Sequence, residues 1–452
     1  MTKPKIDEVI VNGVHIASKV TDYIEPPKII QEKLEDFRDM KLGFMVHWGI
    51  YNQLGLTASW GMVDSAADWA RVKTESGHRV DWETDGNKFR EEYFDLIHSF
   101  NPIRFNPDEW ADLAEETGFK YLIFTTKHHD GFCMWDTKYS DYKVTSPECP
   151  YSKHKRSNIV KEVFDAFREK GLAIGAYFSK PDWHNENFWE SDVCKKIETT
   201  PRPTYDINEK PEKWQAFTEY THNQMEELVR DYGKIDILWL DGGGVCKKWG
   251  YDIKMDEIVE KLRNINPELI VVDRTARTVN ENYITPEMKI PDEVMTIPWE
   301  SCLTIGVDFN YTFDDDYKTP FELISILMEI VCKGGNLALN VSPQPDGRIP
   351  KNSIKSLKGM GDWLRKYGEA VYKTRPCAPY KEDDVFYTQT KECVYATAKN
   401  HTPSFIFCNE KISKAICLNS GEEIEFRQTE KGVEIKLDKL DEEFVVLKLY
   451  KK

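Results

Sequence analysis

Four times in succession the chain runs through an amphipathic helix, meets a glycine or proline, and continues into a short apolar strand. Asp108 to Thr117 stops at Gly118 and leads to Tyr121-Leu-Ile-Phe-Thr-Thr126. Asn158 to Lys170 stops at Gly171 before Leu172 to Phe178, and Lys213 to Tyr232 stops at Gly233 before Ile235 to Leu240. Met255 to Asn264 is followed by Pro267 and then by Leu269-Ile-Val-Val272. A glycine just past a helix supplies the left-handed conformation that ends it. Strands this uniformly apolar are buried on both faces, as in a parallel sheet. Parallel strands joined by helical crossovers are what such alternation can fold into. Phe44-Met-Val-His47 and Asn336-Leu-Ala-Leu-Asn340 add an early and a late strand. About eight candidate strands over this length predict a (β/α)8-type barrel rather than a doubly wound sheet. The first unit does not open with GxGxxG, which argues against dinucleotide binding.

The pattern changes near Pro376. Val385-Phe-Tyr-Thr, Val394-Tyr-Ala-Thr, Ser404-Phe-Ile-Phe, Ile424-Glu-Phe, Val433-Glu-Ile-Lys and Phe444-Val-Val-Leu-Lys-Leu are short β-rich runs between turn residues. They predict a small antiparallel β-sandwich. The expected organisation is therefore an α/β chain: a catalytic barrel with an N-terminal extension over 1–375, and a C-terminal sandwich over 376–452 that braces it.

A net charge of −16 disfavours nucleic acid and anionic membranes as partners. There is no stretch of about 18 apolar residues to span a membrane. The N-terminus has no apolar signal-peptide core. The ten cysteines form no CxxC pair, and several sit in apolar runs as core thiols. A cytoplasmic enzyme is the expectation.

The strand ends carry the chemistry. His47-Trp48-Gly49 follows the first strand and Lys127-His128-His129-Asp130-Gly131-Phe132 the second; Tyr177 lies in the third. Asp241, followed by three glycines, ends the fourth, Asp273-Arg274 the fifth, and Pro298-Trp299-Glu300 is expected to end the sixth. In a parallel barrel these ends share one rim, where active sites are built. A single His or Arg is usually a satisfied structural residue; six successive polar strand ends are harder to explain that way. The first strand offers no His-x-His, and His128 and His129 are expected on opposite faces of a strand, so no metal site is predicted. Imidazoles that donate and accept suit a polyol's hydroxyls better. Two carboxylates, Asp241 and Glu300, suggest glycoside hydrolysis: one nucleophile, and one acid and base kept protonated by burial beside Trp299. Nothing in the sequence calls for a cofactor.

With these stretches the sequence resembles the α-L-fucosidases of glycoside hydrolase family 29. The resemblance is carried by Phe44-Met-Val-His47-Trp-Gly49, Thr126-Lys-His-His-Asp-Gly-Phe132, Tyr177-Phe-Ser179 with Trp183, Trp239-Leu-Asp241-Gly242, Pro298-Trp-Glu-Ser-Cys-Leu-Thr304 and Lys333 to Gly347, across about residues 35 to 375. It implies retaining hydrolysis of terminal α-linked L-fucose from oligosaccharides or glycoconjugates through a covalent fucosyl-enzyme. Asp241 matches the nucleophile and Glu300 the acid/base. His47, His128, His129, Tyr177 and Arg274 match residues holding the fucose hydroxyls and the nucleophile, and Trp60 an aromatic wall. Homo-oligomers are common in the family. Two places depart from its pattern: Phe309-Asn310-Tyr311 stands where Trp-Gly-Tyr is frequent, and the first loop, Met62 to Glu92, is long and charged and lacks Glu-Trp-Tyr. Both bear on the aglycone. The alternatives are a retaining glycosidase for a related sugar such as galactose and a catalytically silent sugar-binding relative.

Overall fold

In the computed structural model, residues 5–11, 14–21, 24–71, 85–274 and 280–452 are described. The stretch 72–84, inside the first loop singled out above, lies outside them. Strands β1 (Lys5–Val11) and β2 (Val14–Thr21) pair as an antiparallel hairpin. Seven parallel strands then form the central sheet: β3 (Leu42–Val46), β4 (Tyr121–Lys127), β5 (Ala173–Ser179), β6 (Ile237–Asp241), β7 (Ile270–Val272), β8 (Glu300–Thr304) and β9 (Asn336–Asn340). Their order is β7-β6-β5-β4-β3-β9-β8.

The gap between β7 and β8 is filled by residues 282–288. Asn282 N–H donates to the Val271 carbonyl, and Ile284 and Glu287 bridge in parallel to Trp299 and Cys302. Pro286 has no N–H to give a ladder, so this eighth staff of the barrel is made of isolated bridges rather than a regular strand.

Period-two alternation decides what enters the barrel. On β6, Leu238 and Leu240 pack outward in the main core cluster, while Ile237 and Trp239 join the interior cluster with Met45, Tyr121, Tyr177, Tyr283 and Cys302. Asp241 continues that inward row at the strand's end. Helix Lys28–Met40 plugs the opposite mouth with Ile30, Leu34 and Phe37; Phe37 stacks on Tyr283 at 4.4 Å and lies 5.4 Å from Tyr121. Outer helices Pro107–Thr117, Ile159–Glu169, Pro211–Asp231 and Met255–Ile265 match the sequence-based boundaries within two residues. Gly118 takes φ +100 at the end of the first of them.

The C-terminal part begins with β10 (Arg375–Glu382). It continues as β11 (Val385–Gln389), β12 (Cys393–Lys399), β13 (Phe405–Phe407), β14 (Ile412–Cys417), β15 (Glu422–Glu423), β16 (Glu425–Gln428), β17 (Gly432–Lys436) and β18 (Phe444–Lys451). These make two antiparallel sheets, β10-β11-β12-β18-β14-β15 and β13-β17-β16. Six of the nine strands coincide with runs picked out in the sequence; β10, β14 and β15 do not. Phe444 packs against Phe321 and Trp363 of the barrel's last helices at 5.1 and 5.7 Å. Among the described residues, no helix is long and apolar enough to cross a membrane.

Candidate active site

The carboxyl-terminal ends of the strands surround a cavity of about 950 Å³. His47, Trp60, His128, His129, Tyr177, Asp241 and Arg274 all line it, so the structure brings together seven of the eight residues singled out from the sequence.

Asp241 is the centre of the polar contacts. Tyr177 Oη donates to its Oδ2 at 2.5 Å; Arg274 Nη1 and the Gly242 N–H donate to Oδ1 at 2.9 and 2.7 Å. Donors aimed at both oxygens favour the ionised carboxylate. Gly242 makes the close turn possible: its φ is +80, and a Cβ there would lie 2.1 Å from Pro181. His129 Nε2 sits 3.7 Å from Asp241 Oδ2.

Burial favours the neutral form of all three histidines, and two of their tautomers can be deduced. Burial drives His47 and His129 down to about 4 and His128 well below its ordinary value. Asn340 Oδ1 accepts from the His47 backbone N–H, and Asn340 Nδ2 donates to the Phe309 carbonyl, which fixes the amide's orientation. His47 Nδ1, 2.7 Å from that oxygen, must therefore carry the proton. Ser179 Oγ donates its only hydrogen to the Pro181 carbonyl, so His129 Nδ1, at 2.6 Å, donates to Ser179. Nε2 of both rings is left as an acceptor, suited to a sugar hydroxyl. His128 Nδ1 pairs with Ser59 Oγ at 2.5 Å.

His128 and His129 were expected on opposite faces of a strand. They do not diverge, because β4 ends at Lys127 and both follow it; their rings are 4.3 Å apart. Together with Asp241 they offer ligand atoms within 4.8 Å of one another, so the trio could hold a cation. The Arg274 guanidinium already places a positive charge on Asp241, which opposes a metal ion there.

Glu300 is the residue that the structure does not bring to this cavity. It opens β8 instead of closing a strand, paired with Asn336 at the start of β9. Its inward position therefore lies toward the plugged mouth of the barrel. It is fully buried. Oε2 accepts from Tyr121 Oη at 2.7 Å, and Oε1 from Trp239 Nε1 at 3.0 Å and Tyr283 Oη at 3.4 Å. Burial lifts its carboxyl to about 7 against those three donors. The raised value anticipated from burial is found, but beneath the site, with Trp239 in between.

A different acid takes the rim position. Glu287, in Asn282-Tyr-Ile-Thr-Pro-Glu287, lines the cavity, and Arg274 Nη2 donates to its Oε2. One guanidinium thus spans Asp241 and Glu287. This is compatible with the close carboxyl spacing, about 5 Å, of retaining glycosidases. Burial pushes the Glu287 carboxyl up, with Asp241 adding to it and Arg274 opposing. Sequence reasoning missed Glu287 because Pro286 breaks the strand pattern in front of it. The signal present was an acid directly after a short β-branched and aromatic run.

The aromatic wall is Trp60, 5.3 Å from His129 and 5.5 Å from Trp183, with Trp69 beyond it at 5.7 Å. Phe309 and Asp308, from the departing loop, line the opposite side. Phe309 lies 5.0 Å from His47, and Asp308 accepts from Thr57 Oγ1 at 2.7 Å.

Comparison with known proteins bears on this geometry. Residues 15–369 match the family described as alpha-L-fucosidase. The human plasma alpha-L-fucosidase is 28% identical over 375 residues, 80% of this chain and 74% of that one. Alpha-L-fucosidase isoenzyme 1 from Paenibacillus thiaminolyticus superposes with TM-score 0.77 at 26% identity, covering 94% of this chain and 100% of that one. The alpha-fucosidase of Thermotoga maritima in complex with fucose gives 0.72 at 29% identity, covering 92% and 96%. A Bacteroides thetaiotaomicron alpha-L-fucosidase, described as a trapped covalent intermediate in complex with 2-fluoro-fucosyl fluoride, gives 0.73 at 26%, covering 92% and 95%.

Proposed function

The chain belongs to the α-L-fucosidase family, and on that premise we propose that it cleaves terminal α-linked L-fucose with Asp241 as nucleophile and Glu287 as acid and base. The observation that carries this reading is Arg274 holding both carboxylates at the mouth of one cavity. The retaining course is that of the relative trapped as a covalent intermediate.

Fucose enters with its hydroxyls against Nε2 of His47 and His129. Asp241 attacks the anomeric carbon from one face while Glu287 protonates the departing glycosidic oxygen from the other. The C–O bond to the aglycone breaks as the Asp241 Oδ–C1 bond forms. Glu287, now a carboxylate, takes a proton from water, and that water's oxygen displaces Asp241 with a second inversion. Tyr177, Arg274 and the Gly242 N–H hold the charge that returns to Asp241 at each departure.

The two-domain division at residues 375 and 376 is part of the same proposal. It is supported by the change from parallel to antiparallel sheet at β10, with Phe444 bracing the barrel. A reducing, cytoplasmic compartment is proposed from the ten buried free cysteines.

The test is hydrolysis of nitrophenyl α-L-fucoside, beside the α- and β-galactosides, by wild type and by Asp241→Gly with and without azide. Release from the fucoside by wild type, and from the variant only with azide, is expected. An Asp241→Gly variant that turns over normally without azide contradicts the assignment.

A further inference from the structure

Outside the fucose-sized floor, the cavity is lined by the exposed Trp69 and by Arg202. One wall climbs from His129 through Trp60 to Trp69, which is 49% exposed. The other begins at the nucleophile. The glycine turn after Asp241 runs through Val245 into a short turn, Lys247–Trp249, whose Trp249 is 44% exposed.

Arg202 lines the cavity, with its guanidinium 5.9 Å from the centre of the Trp249 ring. Lys248 Nζ lies 5.3 Å from that same ring. The Arg202 backbone is fixed: prolines flank it at 201 and 203, and its carbonyl accepts from Trp189 Nε1 at 2.9 Å. Trp189 in turn stacks on Trp183 of the pocket wall at 5.1 Å. The backbone that carries this cation is thus held by aromatics that pack against the pocket wall.

Lys210 and Lys213 pair with Glu190. Among the described residues, Arg202, Lys247 and Lys248 form no ion pair. Arg202 places a positive charge in the lining of the cavity that Trp69 also lines, which favours an anion carried on a ring there.

Resting on the fucosidase reading above, we propose that the leaving-group side of this cavity is specific for an anionic aglycone: a ring bearing a carboxylate or sulfate, stacked on Trp69 with its charge on Arg202.

The test compares fucosides whose aglycones differ only in charge: 3-carboxyphenyl against 3-carbamoylphenyl α-L-fucoside, and 3-sulfophenyl against 3-sulfamoylphenyl. The readout is the ratio of kcat/KM within each pair, for wild type, Arg202→Gln and Arg202→Lys. Leaving-group differences and any common effect on fucosyl transfer cancel when the ratio is compared between variants. At low salt the charged member's advantage should fall about two- to fivefold in Arg202→Gln, the range of one exposed ion pair, and recover in Arg202→Lys. It should also shrink for wild type as ionic strength rises to about 0.5 M. Whichever pair responds more identifies the anion. Ratios unchanged by both the substitution and the salt, with all four aglycones released, overturn the anionic subsite and leave the fucosidase reading standing. A wild type that releases none of the four overturns the fucosidase reading.

Discussion

Two glutamates sit 13 positions apart in the sequence and on opposite sides of Trp239, and substituting each should produce opposite phenotypes. Glu300→Ala removes the acceptor for Tyr121 Oη, Trp239 Nε1 and Tyr283 Oη, all inside the barrel. A buried donor left without a partner costs about 1–3 kcal/mol. The two short bonds alone therefore predict a loss of about 2–6 kcal/mol, with the 3.4 Å contact and the new cavity adding to it. Glu300→Gln keeps one acceptor oxygen but turns an NH2 toward the other donors, so it should cost about half as much or less. Neither change touches the rim, so whatever protein folds should cleave nitrophenyl fucoside and a fucosyl disaccharide with the wild-type preference between them. Glu287→Gln is the converse. Its oxygen can still accept from Arg274, and stability should move little. Hydrolysis of a disaccharide, whose leaving group needs a proton, should fall by about 100- to 10,000-fold, and the nitrophenyl substrate by much less. Urea unfolding followed by tryptophan fluorescence, beside kcat/KM on the two substrates, separates the cases. A Glu300→Gln variant of wild-type stability that selectively loses the disaccharide, with Glu287→Gln retaining it, would refute the reasoning.

Other consequences follow from the buried charges. Glu300 has a folded pKa of about 7 against an ordinary 4.5, so the native state holds its proton longer and stability falls as pH rises through that window. Glu300→Gln should remove this slope, seen as a flatter difference in unfolding free energy between pH 4.5 and 7. His47 and His129 are shifted the other way, to about 4 from 6.5: the stability they contribute is complete above 6.5 and is lost as pH falls toward 4. His129→Gln should weaken that acid loss in the same titration while impairing fucoside turnover. Lys180 and Asp273 form a fully buried ion pair directly before Arg274. Lys180→Met strands the carboxylate and should cost about 3–5 kcal/mol, measurable by urea unfolding; an unchanged midpoint would contradict it.

Much of this was legible because it is repetitive. The helix–glycine–strand units fixed the barrel, and strand ends at His47, His129, Asp241 and Arg274 marked its rim. Where periodicity failed, so did the reading. The staff carrying Glu287 is interrupted by Pro286 and holds its place through isolated bridges, so no alternating pattern announces it. Glu300 looked like a strand end because Pro298-Trp299 precedes it, whereas the apolar strand runs on from it through Cys302 and Leu303. A one-element error in where a strand begins moves a residue from the rim to the floor. The adjacency of His128 and His129 misled for a related reason: alternation holds only inside a strand, and β4 stops one residue earlier. In the C-terminal sheets, β10 was hidden by the prolines at 376 and 379.

The central claim is that Asp241 becomes covalently fucosylated with Glu287 as its partner acid. Incubation of the wild-type protein with 2-fluoro-fucosyl fluoride, followed by proteolysis and tandem mass spectrometry, tests it most directly. One 2-fluorofucosyl group on the peptide spanning Ile237–Asp241, assigned to Asp241, and rapid loss of activity are expected. A label on Glu287 or Glu300, or inactivation with Asp241 unmodified, would contradict it.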